Sequence, residues 1–252
     1  MIMNAEVLGV ENGFLMVLDK SSDQEVAVNT RCLNFNVGER IKIIYNGIMT
    51  FSLPPQINAC RIIKIDNDSE IYLQRYREIL NAMISGMCSA ELNDSISHNF
   101  IVQMIPHHRA AIEMSENILK YTENAKLTEI AKGIIDEQTR SIADMEAVLD
   151  QCSTLLNCCC DVQAYQRNVN AITETMFSKM RSAYFDNCIN CDFIREMIPH
   201  HEGAVRMSEN ALKFQICHEL NPILNAIIIS QKNGIHQMKC LAENIRCSHF
   251  IQ

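Results

Sequence analysis

An internal repeat constrains this chain more than any other feature of its sequence. The segment MIPHHRAAIEMSENILK (Met104–Lys120) recurs 93 residues later as MIPHHEGAVRMSENALK (Met197–Lys213). Across Phe100–Lys120 and Phe193–Lys213, 14 of 21 positions are identical. A duplication retains in both copies what each copy needs. The retained core is a methionine followed by two adjacent histidines, a soft and nitrogen-containing set that indicates a metal site.

The methionines follow the same 93-residue offset, whereas the cysteines do not. Ten of the 14 methionines form five pairs at this offset: Met83/Met176, Met87/Met180, Met104/Met197, Met114/Met207 and Met145/Met238. None of the 12 cysteines has a cysteine partner at the offset; Cys188 and Cys191 correspond to Ser95 and His98. A site common to both repeats is therefore built from thioether and imidazole groups. This soft, nitrogen-containing ligand set suits Cu(I).

Composition excludes several classes of partner. The net charge of −8, the pI near 5.5 and the lack of a basic cluster argue against a nucleic-acid surface. The first residues, MIMNAEVLGVENGF, have neither the basic region nor the apolar run of a secretory signal, and no apolar run approaches a membrane span. Twelve unpaired-looking cysteines, including Cys158–Cys160, fit a reducing compartment. We expect a cytoplasmic protein without nucleic-acid or membrane partners.

The pattern of the first 66 residues predicts a small β domain. Short segments rich in Val, Ile and Phe predict five strands: Gly13–Leu18, Gln24–Thr30, Glu39–Tyr45, Ile48–Leu53 and Asn58–Ile65. Asn46–Gly47 predicts a tight hairpin, and Pro54 and Pro55 end the fourth strand. Five short strands predict a closed, OB-like barrel. Without a basic stripe, its expected role is structural or in docking a protein partner.

Residues 70–252 have helical periodicity. They predict two three-helix repeats, 70–150 and 163–245, joined by the Cys-rich connector Asp150–Val162. The predicted helices are Ile71–Ser89, Phe100–Tyr121 and Leu127–Leu149, followed by Ala164–Ala183, Phe193–Phe214 and Leu220–Ile245. The fold class is therefore α+β and multidomain.

Helical geometry places the repeated side chains on one face of each helix. Met104, His107, His108 and Met114 share an arc of roughly 120°, and the two histidines lie about 100° apart, so that they straddle this stripe. Three helices thus bring soft ligands to one interior region. The candidate metal ligands are Met83, Met87, Met104, His107, His108, Met114, Met145, Met176, Met180, Met197, His200, His201, Met207 and Met238.

Several alternatives stay open at this point. A buried methionine stripe is also what core packing produces, whereas paired buried histidines need partners for their ring nitrogens. Pro106 and Pro199 lie either in a first helical turn or inside a kinked helix. Cys188-x-x-Cys191 has the spacing of a metal or redox pair but occurs only once.

The motif M-I-P-H-H, followed by A-[IV]-x-M and then by Q-x-x-x-I-x-x-M, resembles the bacterial family known as domain of unknown function 305. The resemblance covers residues 70 to 245 and implies a ferritin-like helical bundle, a His-His motif often present twice, and copper or silver binding. Many relatives are exported, whereas this sequence shows no signal peptide. The positions that match the motif are Met104, His107, His108, Met114, Gln138 and Met145, with Met197, His200, His201, Met207, Gln231 and Met238.

These observations predict a protein that binds Cu(I), and also Ag(I), for copper buffering, delivery or resistance. No Glu-x-x-His occurs, and Gln103 stands where the other repeat has Glu196, so we expect no di-iron enzyme. The rival hypothesis is a metal-free helical interaction module whose barrel docks a partner, or a homo-oligomer. The sequence leaves open whether the repeats form one site each or share one.

Overall fold

The computed structural model describes residues 1–31, 33–65, 67–183, 185 and 188–245. Cys32, Cys247 and His249 lie outside the described residues. The chain divides into two compact units, Met1–Ile71 and Tyr72–Gln252. Within the described part, five strands precede six helices, which confirms the α+β class.

The first unit is a closed five-stranded barrel. Its strands are β1 (Ile2–Glu11), β2 (Phe14–Asp19), β3 (Gln24–Asn29), β4 (Arg40–Met49) and β5 (Gln56–Ile65). They follow the order β1-β2-β3-β5-β4, and β4 closes onto β1. The pairs are antiparallel except β3–β5, which is parallel. Alternate side chains fill the interior, with Val7, Leu15, Val17 and Ile41 fully buried.

The barrel differs from the prediction at β1 and around Asn46–Gly47. β1 was not predicted as a strand, although it pairs with both β2 and β4. The predicted hairpin at Asn46–Gly47 does not form, because β4 continues through it to Met49 with an irregular register after Tyr45. Gly47 adopts φ +86°, which lets the strand bend without turning back. The predicted strand Ile48–Leu53 therefore contributes only its first two residues, to the end of β4.

The second unit contains nearly all of the helical structure. Its helices are α1 (Asn67–Cys88), α2 (Ile96–Ile118), α3 (Ala125–Cys152), α4 (Cys159–Arg181), α5 (Ile189–Ala211) and α6 (Leu220–Asn244). Ser95 caps α2 by accepting a hydrogen bond from the His98 amide at 3.3 Å, and Asn124 caps α3 through the Leu127 amide at 3.0 Å. No helix in the described part of the chain is long and apolar enough to cross a membrane.

The Cys-rich connector is shorter than predicted. The sequence assigned Asp150–Val162 to it, but α3 continues to Cys152 and α4 begins at Cys159. Cys159 and Cys160 therefore lie in the first turn of α4, with Cys158 at its N-cap. Ordered helix replaces most of the expected polar loop.

The two repeats of the helical unit make equivalent hydrogen bonds, at positions offset by 93 residues. The Asn117 side chain donates to the Tyr72 carbonyl at 3.2 Å, and Asn210 donates to the Tyr165 carbonyl at 3.3 Å. α2 packs on α3, α5 packs on α6, and α2 also contacts α5. The Tyr72 hydroxyl donates to Glu196 Oε2 at 2.6 Å, so that α1 and α5 are tied together. One buried aliphatic and methionine core fills the space between the helices.

Candidate metal centre

The two histidine pairs follow prolines that lie inside continuous helices. Pro106 is within α2 and Pro199 is within α5, so neither is in a first turn. A proline at such a position lacks the amide that would bond the carbonyl four residues earlier, and it bends the axis. A Cβ added at Gly86 of α1 would lie 2.9 Å from the Pro106 Cβ, so the bend packs tightly against its neighbour. The histidines therefore begin where the backbone is already irregular.

The first histidines of the two pairs lie against each other in the centre of the helical unit. The rings of His107 and His200 are stacked, with centroids 3.6 Å apart and an interplanar angle of 26°. His200 Nε2 lies 3.0 Å from the His107 carbonyl oxygen, so it is the protonated nitrogen and donates. Both side chains are fully buried. The α2–α5 contact thus joins the two repeats at the repeated motif.

The second histidine of each pair points to a different helix. His108 Nε2 lies 3.0 Å from Ser141 Oγ on α3. On α6 the equivalent of Ser141 is Gly234, and a Cβ added there would lie 2.9 Å from the His201 ring. His108 and His201 are both buried. Sequence analysis missed Ser141 and Gly234, although each follows its histidine by the same number of residues.

Most of the imidazole nitrogens have no hydrogen-bond partner among the described residues. His107 has none at either Nδ1 or Nε2, and His108, His200 and His201 have none at Nδ1. A buried polar atom left without a partner costs about 1–3 kcal/mol. Duplicated, buried and unpartnered ring nitrogens are therefore candidates for binding something other than protein.

All four histidines are in the protonation state that a metal ligand requires. Burial lowers the pKa of His108 to about 3 and that of His200 to about 4. Burial, with the neighbouring histidines, holds the pKa of His107 and His201 well below the ordinary value. The rings are therefore neutral at physiological pH, and each carries one nitrogen lone pair.

The predicted methionine ligands are all buried in the same core as the histidines. They are Met83, Met87, Met104, Met114, Met145, Met176, Met180, Met197, Met207 and Met238, each at most 2% exposed. Met176 on α4 packs its thioether directly against Gly203, two residues after His201 on α5. This contact places one thioether beside the histidine-bearing helix.

A surface depression between α3 and α6 reaches the buried site. Its lining includes His108, Gln138 and Ser141 from the first repeat and Gln231 from the second. Gln138 and Gln231, 93 residues apart, are almost fully buried, and their Oε1 atoms have no partner among the described residues. The depression offers an ion or water a route from solvent to His108.

Glu196 is the buried carboxyl group closest in sequence to a histidine pair, but it is bound elsewhere. It accepts the Tyr72 hydroxyl hydrogen bond, and burial raises its pKa well above the ordinary value. The Tyr72 hydroxyl engages Oε2, whereas Oε1 has no hydrogen-bond partner among the described residues. This arrangement agrees with the different residue, Gln103, at the equivalent position.

The cysteines form separate groups. Cys188 and Cys191 are joined by a disulfide, which corrects the expectation that all of the cysteines are unpaired. Cys158 and Cys160 are exposed and lie, with Asp161, close enough to share an ion. Neither group includes a histidine.

Comparison with known proteins identifies the family. The description "Domain of unknown function (DUF305)" matches residues 97–242, so the chain belongs to this family. No curated protein matches the chain significantly. The solved structure of CopM in its Ag-bound form is 30% identical, covers 60% of this chain and 96% of CopM, and has a TM-score of 0.45.

Two further solved structures are similar to a comparable extent. CopM in its Cu(I)-bound form is 28% identical and covers 62% of this chain and 99% of CopM, with a TM-score of 0.45. A DUF305 fragment from Deinococcus radiodurans is 21% identical and covers 59% and 96% of the respective chains, with a TM-score of 0.44. Family membership rests on the match in sequence, because TM-scores of this size do not establish a shared fold.

Proposed function

We propose that this protein binds Cu(I), and also Ag(I), for copper buffering, delivery or resistance. The single observation that supports this most strongly is His107, which is fully buried, stacked on its repeat equivalent His200, and unpartnered at both ring nitrogens. A fold that needed only packing would place an apolar side chain there. The proposed function is binding, without catalysis.

The chemistry of the surroundings favours a monovalent soft ion. Neutral imidazole and thioether ligands leave the single positive charge of Cu(I) or Ag(I), whereas Zn(II) would bring two charges into the core and prefers histidine, cysteine or carboxylate ligands to thioether. Met104 and Met197 lie on α2 and α5 close to one turn before the histidines. We propose that thioethers from the ten repeated methionines complete the coordination.

We further propose that the two repeats share one centre. The His107–His200 stack lies at the α2–α5 contact, and His108 and His201 extend from it toward α3 and α6. The helical residues then form a ferritin-like bundle of two three-helix repeats, 70–150 and 163–245, after an OB-like barrel at 1–66. The recurring Asn117–Tyr72 and Asn210–Tyr165 hydrogen bonds support the repeat assignment.

The sequence likeness to CopM supports the class of metal. Solved forms of CopM are named as Ag-bound, Cu(I)-bound and Cu(II)-bound. Over the aligned region, which covers 60–62% of this chain and 96–99% of CopM, 28–30% of the residues are identical. On the sequence evidence alone, we propose that the protein acts in the cytoplasm. Cu(I) is the prevailing oxidation state of copper in that compartment.

An anaerobic competition titration with a chromogenic Cu(I) chelator tests the proposal. The proteins compared are the wild type, the quadruple variant His107→Ala/His108→Ala/His200→Ala/His201→Ala, and the control His236→Ala, which alters an exposed histidine. We expect tight Cu(I) uptake by the wild type and the control, and fewer tightly bound Cu(I) ions in the quadruple variant, in which the thiols remain but the histidines do not. Equal uptake by all three proteins, with the quadruple variant folded by circular dichroism, would rule out the histidine centre.

One observation favours a second function, the metal-free interaction module. Phe51 and Leu53, between β4 and β5, and Ile48 at the end of β4 are largely exposed. Apolar side chains grouped at one end of a barrel are typical of a docking surface. Under this alternative, apolar replacement of His107 and His108 changes the stability of the protein. Adding Cu(I) then stabilises neither the wild type nor the variant.

A further inference from the structure

A second group of side chains that could hold a metal ion lies apart from the two repeated histidine pairs. It consists of Cys152, the last residue of α3, with Cys217 and Glu219 from the turn before α6. The two sulfur atoms and a carboxylate oxygen all lie within 4.8 Å of one another. Cys152 is fully buried, Cys217 is 7% exposed, and neither forms a disulfide.

The surrounding hydrogen bonds hold these three side chains in place. The Gln151 side chain donates to Glu219 Oε1 at 2.7 Å, which leaves Oε2 facing the Cys217 thiol at 2.9 Å. The backbone amide of Cys217 donates to Ser97 Oγ at 2.9 Å. Ser95 Oγ donates to the Cys152 carbonyl at 3.1 Å. Second-sphere bonds of this kind orient ligands in protein metal sites.

The internal repeat shows that packing alone does not require this group. At the 93-residue offset, Cys152 corresponds to Ile245, Cys217 to Asn124 and Glu219 to Lys126. The first-repeat turn closes its helix with the Asn124 cap, whereas Glu219 at the same end of α6 makes no capping hydrogen bond. The end of α3 and the turn before α6 therefore present two thiols and a carboxylate, whereas the equivalent positions Ile245, Asn124 and Lys126 present neither thiol nor carboxylate.

We propose that Cys152, Cys217 and Glu219 form a second metal site, which binds Zn(II) through two sulfurs and one carboxylate oxygen. Zn(II) accepts these ligands in a four-coordinate site, and three protein ligands leave one position for water. Cu(I) would be satisfied by two thiolates and would leave the carboxylate charge unused. Partly exposed Glu219 gives the ion a path to the buried sulfurs. This site is independent of the proposed copper centre.

Cd(II), which reports thiolate binding by its ultraviolet charge-transfer absorption, is the probe for the test. The parent is the reduced full-length chain in which the exposed cysteines, and those outside the described residues, are replaced by serine: Cys32, Cys60, Cys88, Cys158, Cys159, Cys160, Cys240 and Cys247. Three variants are made from this parent: Cys152→Ser/Cys217→Ser, the matched control Cys188→Ser/Cys191→Ser, and Glu219→Gln. Competition with Zn(II) then gives relative affinities for Zn(II).

We expect the absorption to persist in Cys188→Ser/Cys191→Ser and to disappear in Cys152→Ser/Cys217→Ser. Glu219→Gln retains both thiols, and its affinity for Zn(II) should be at least about tenfold lower. Losses of this size follow the removal of a residue that binds or orients the ligands of a metal site. Absorption unchanged in Cys152→Ser/Cys217→Ser, unchanged affinity in Glu219→Gln, or no Cd(II) binding by the parent would each overturn the proposal. The quadruple histidine variant should retain the absorption, so failure of the copper centre and failure of this site are distinguishable.

Discussion

The imidazole rings of His107 and His200 stack 3.6 Å apart although the residues are separated by 93 positions. Each follows a proline inside its helix, and each begins an adjacent histidine pair. The repeated motif therefore meets its own copy at the α2–α5 contact. This relationship determines what substitutions in either repeat should do.

If the two repeats share one metal centre, a substitution in either repeat should lower the affinity for all of the tightly bound Cu(I). His107→Ala and His200→Ala should each lower the affinity for every tightly bound Cu(I), because both rings belong to one site. Chelator competition measured to saturation gives both affinity and stoichiometry. Retention of half of the sites at wild-type affinity in either variant would instead indicate one separate site per repeat.

The apo protein should lose stability in acid. The pKa of His108 is lowered to about 3 and that of His200 to about 4, so between these values and about 6.5 the unfolded chain binds more protons than the folded one. Stability therefore falls as pH decreases through this window, by up to about 1.4 kcal/mol per pH unit for each buried histidine. Urea unfolding at several pH values measures the slope. The exposed-site control His236→Ala should keep this slope, and the quadruple histidine variant should have a shallower one.

Leucine substitution separates methionine ligands from methionine packing. Met104→Leu/Met197→Leu nearly conserves volume in fully buried positions and should cost less than about 1.5 kcal/mol at each. If the thioethers bind the metal, Cu(I) affinity should nevertheless fall by about tenfold, equivalent to ~1.4 kcal/mol. Met3→Leu, a buried methionine of the barrel, is the matched control. An unchanged Cu(I) affinity in the double variant would assign this pair to packing.

Gly234 is expected to be essential for the position of His201. Gly234→Ala would place a Cβ 2.9 Å from the His201 ring and should destabilise the protein by about 1–3 kcal/mol. Gly133→Ala on α3 meets no atom within 4 Å and should stabilise its helix by up to about 1 kcal/mol. Urea unfolding compares the two variants. Equal effects of the two substitutions would contradict the close contact.

Much of the helical structure follows from local sequence, whereas parts of the barrel do not. Periodicity predicted all six helices of the described chain, but α1, α2, α4 and α5 begin four or five residues earlier than expected. In α2 the reason is the Ser95 cap, which lies upstream of the apolar pattern. β1 was missed although Met3, Ala5 and Val7 alternate on its buried side, because polar residues and glycine interrupt the apolar pattern. The Asn46–Gly47 signal failed because continued pairing of β4 with β5 overrides a local turn preference.

The site was predictable in its residues but not in its arrangement. The repeat identified both histidine pairs, and their periodicity left open whether both members were buried. The α2–α5 stack and the approach of His201 to Gly234 depend on how distant helices pack, which a one-dimensional pattern does not encode. Burial does not distinguish ligands from packing side chains among the ten methionines, because both kinds of residue are buried in one core. Their role as ligands stays a prediction.

X-ray absorption at the copper edge of the anaerobically Cu(I)-loaded protein tests the central claim most directly, because it reports the ligand atoms themselves. To exclude thiolate, the sample should be the parent variant of the Cd(II) experiment with Cys152, Cys217, Cys188 and Cys191 also replaced by serine. It is compared with the same variant carrying the four histidine-to-alanine substitutions. We predict imidazole nitrogen together with thioether sulfur around copper, with the imidazole scattering absent from the histidine variant. A first shell without imidazole scattering, identical in both samples, would contradict the proposed histidine–methionine centre.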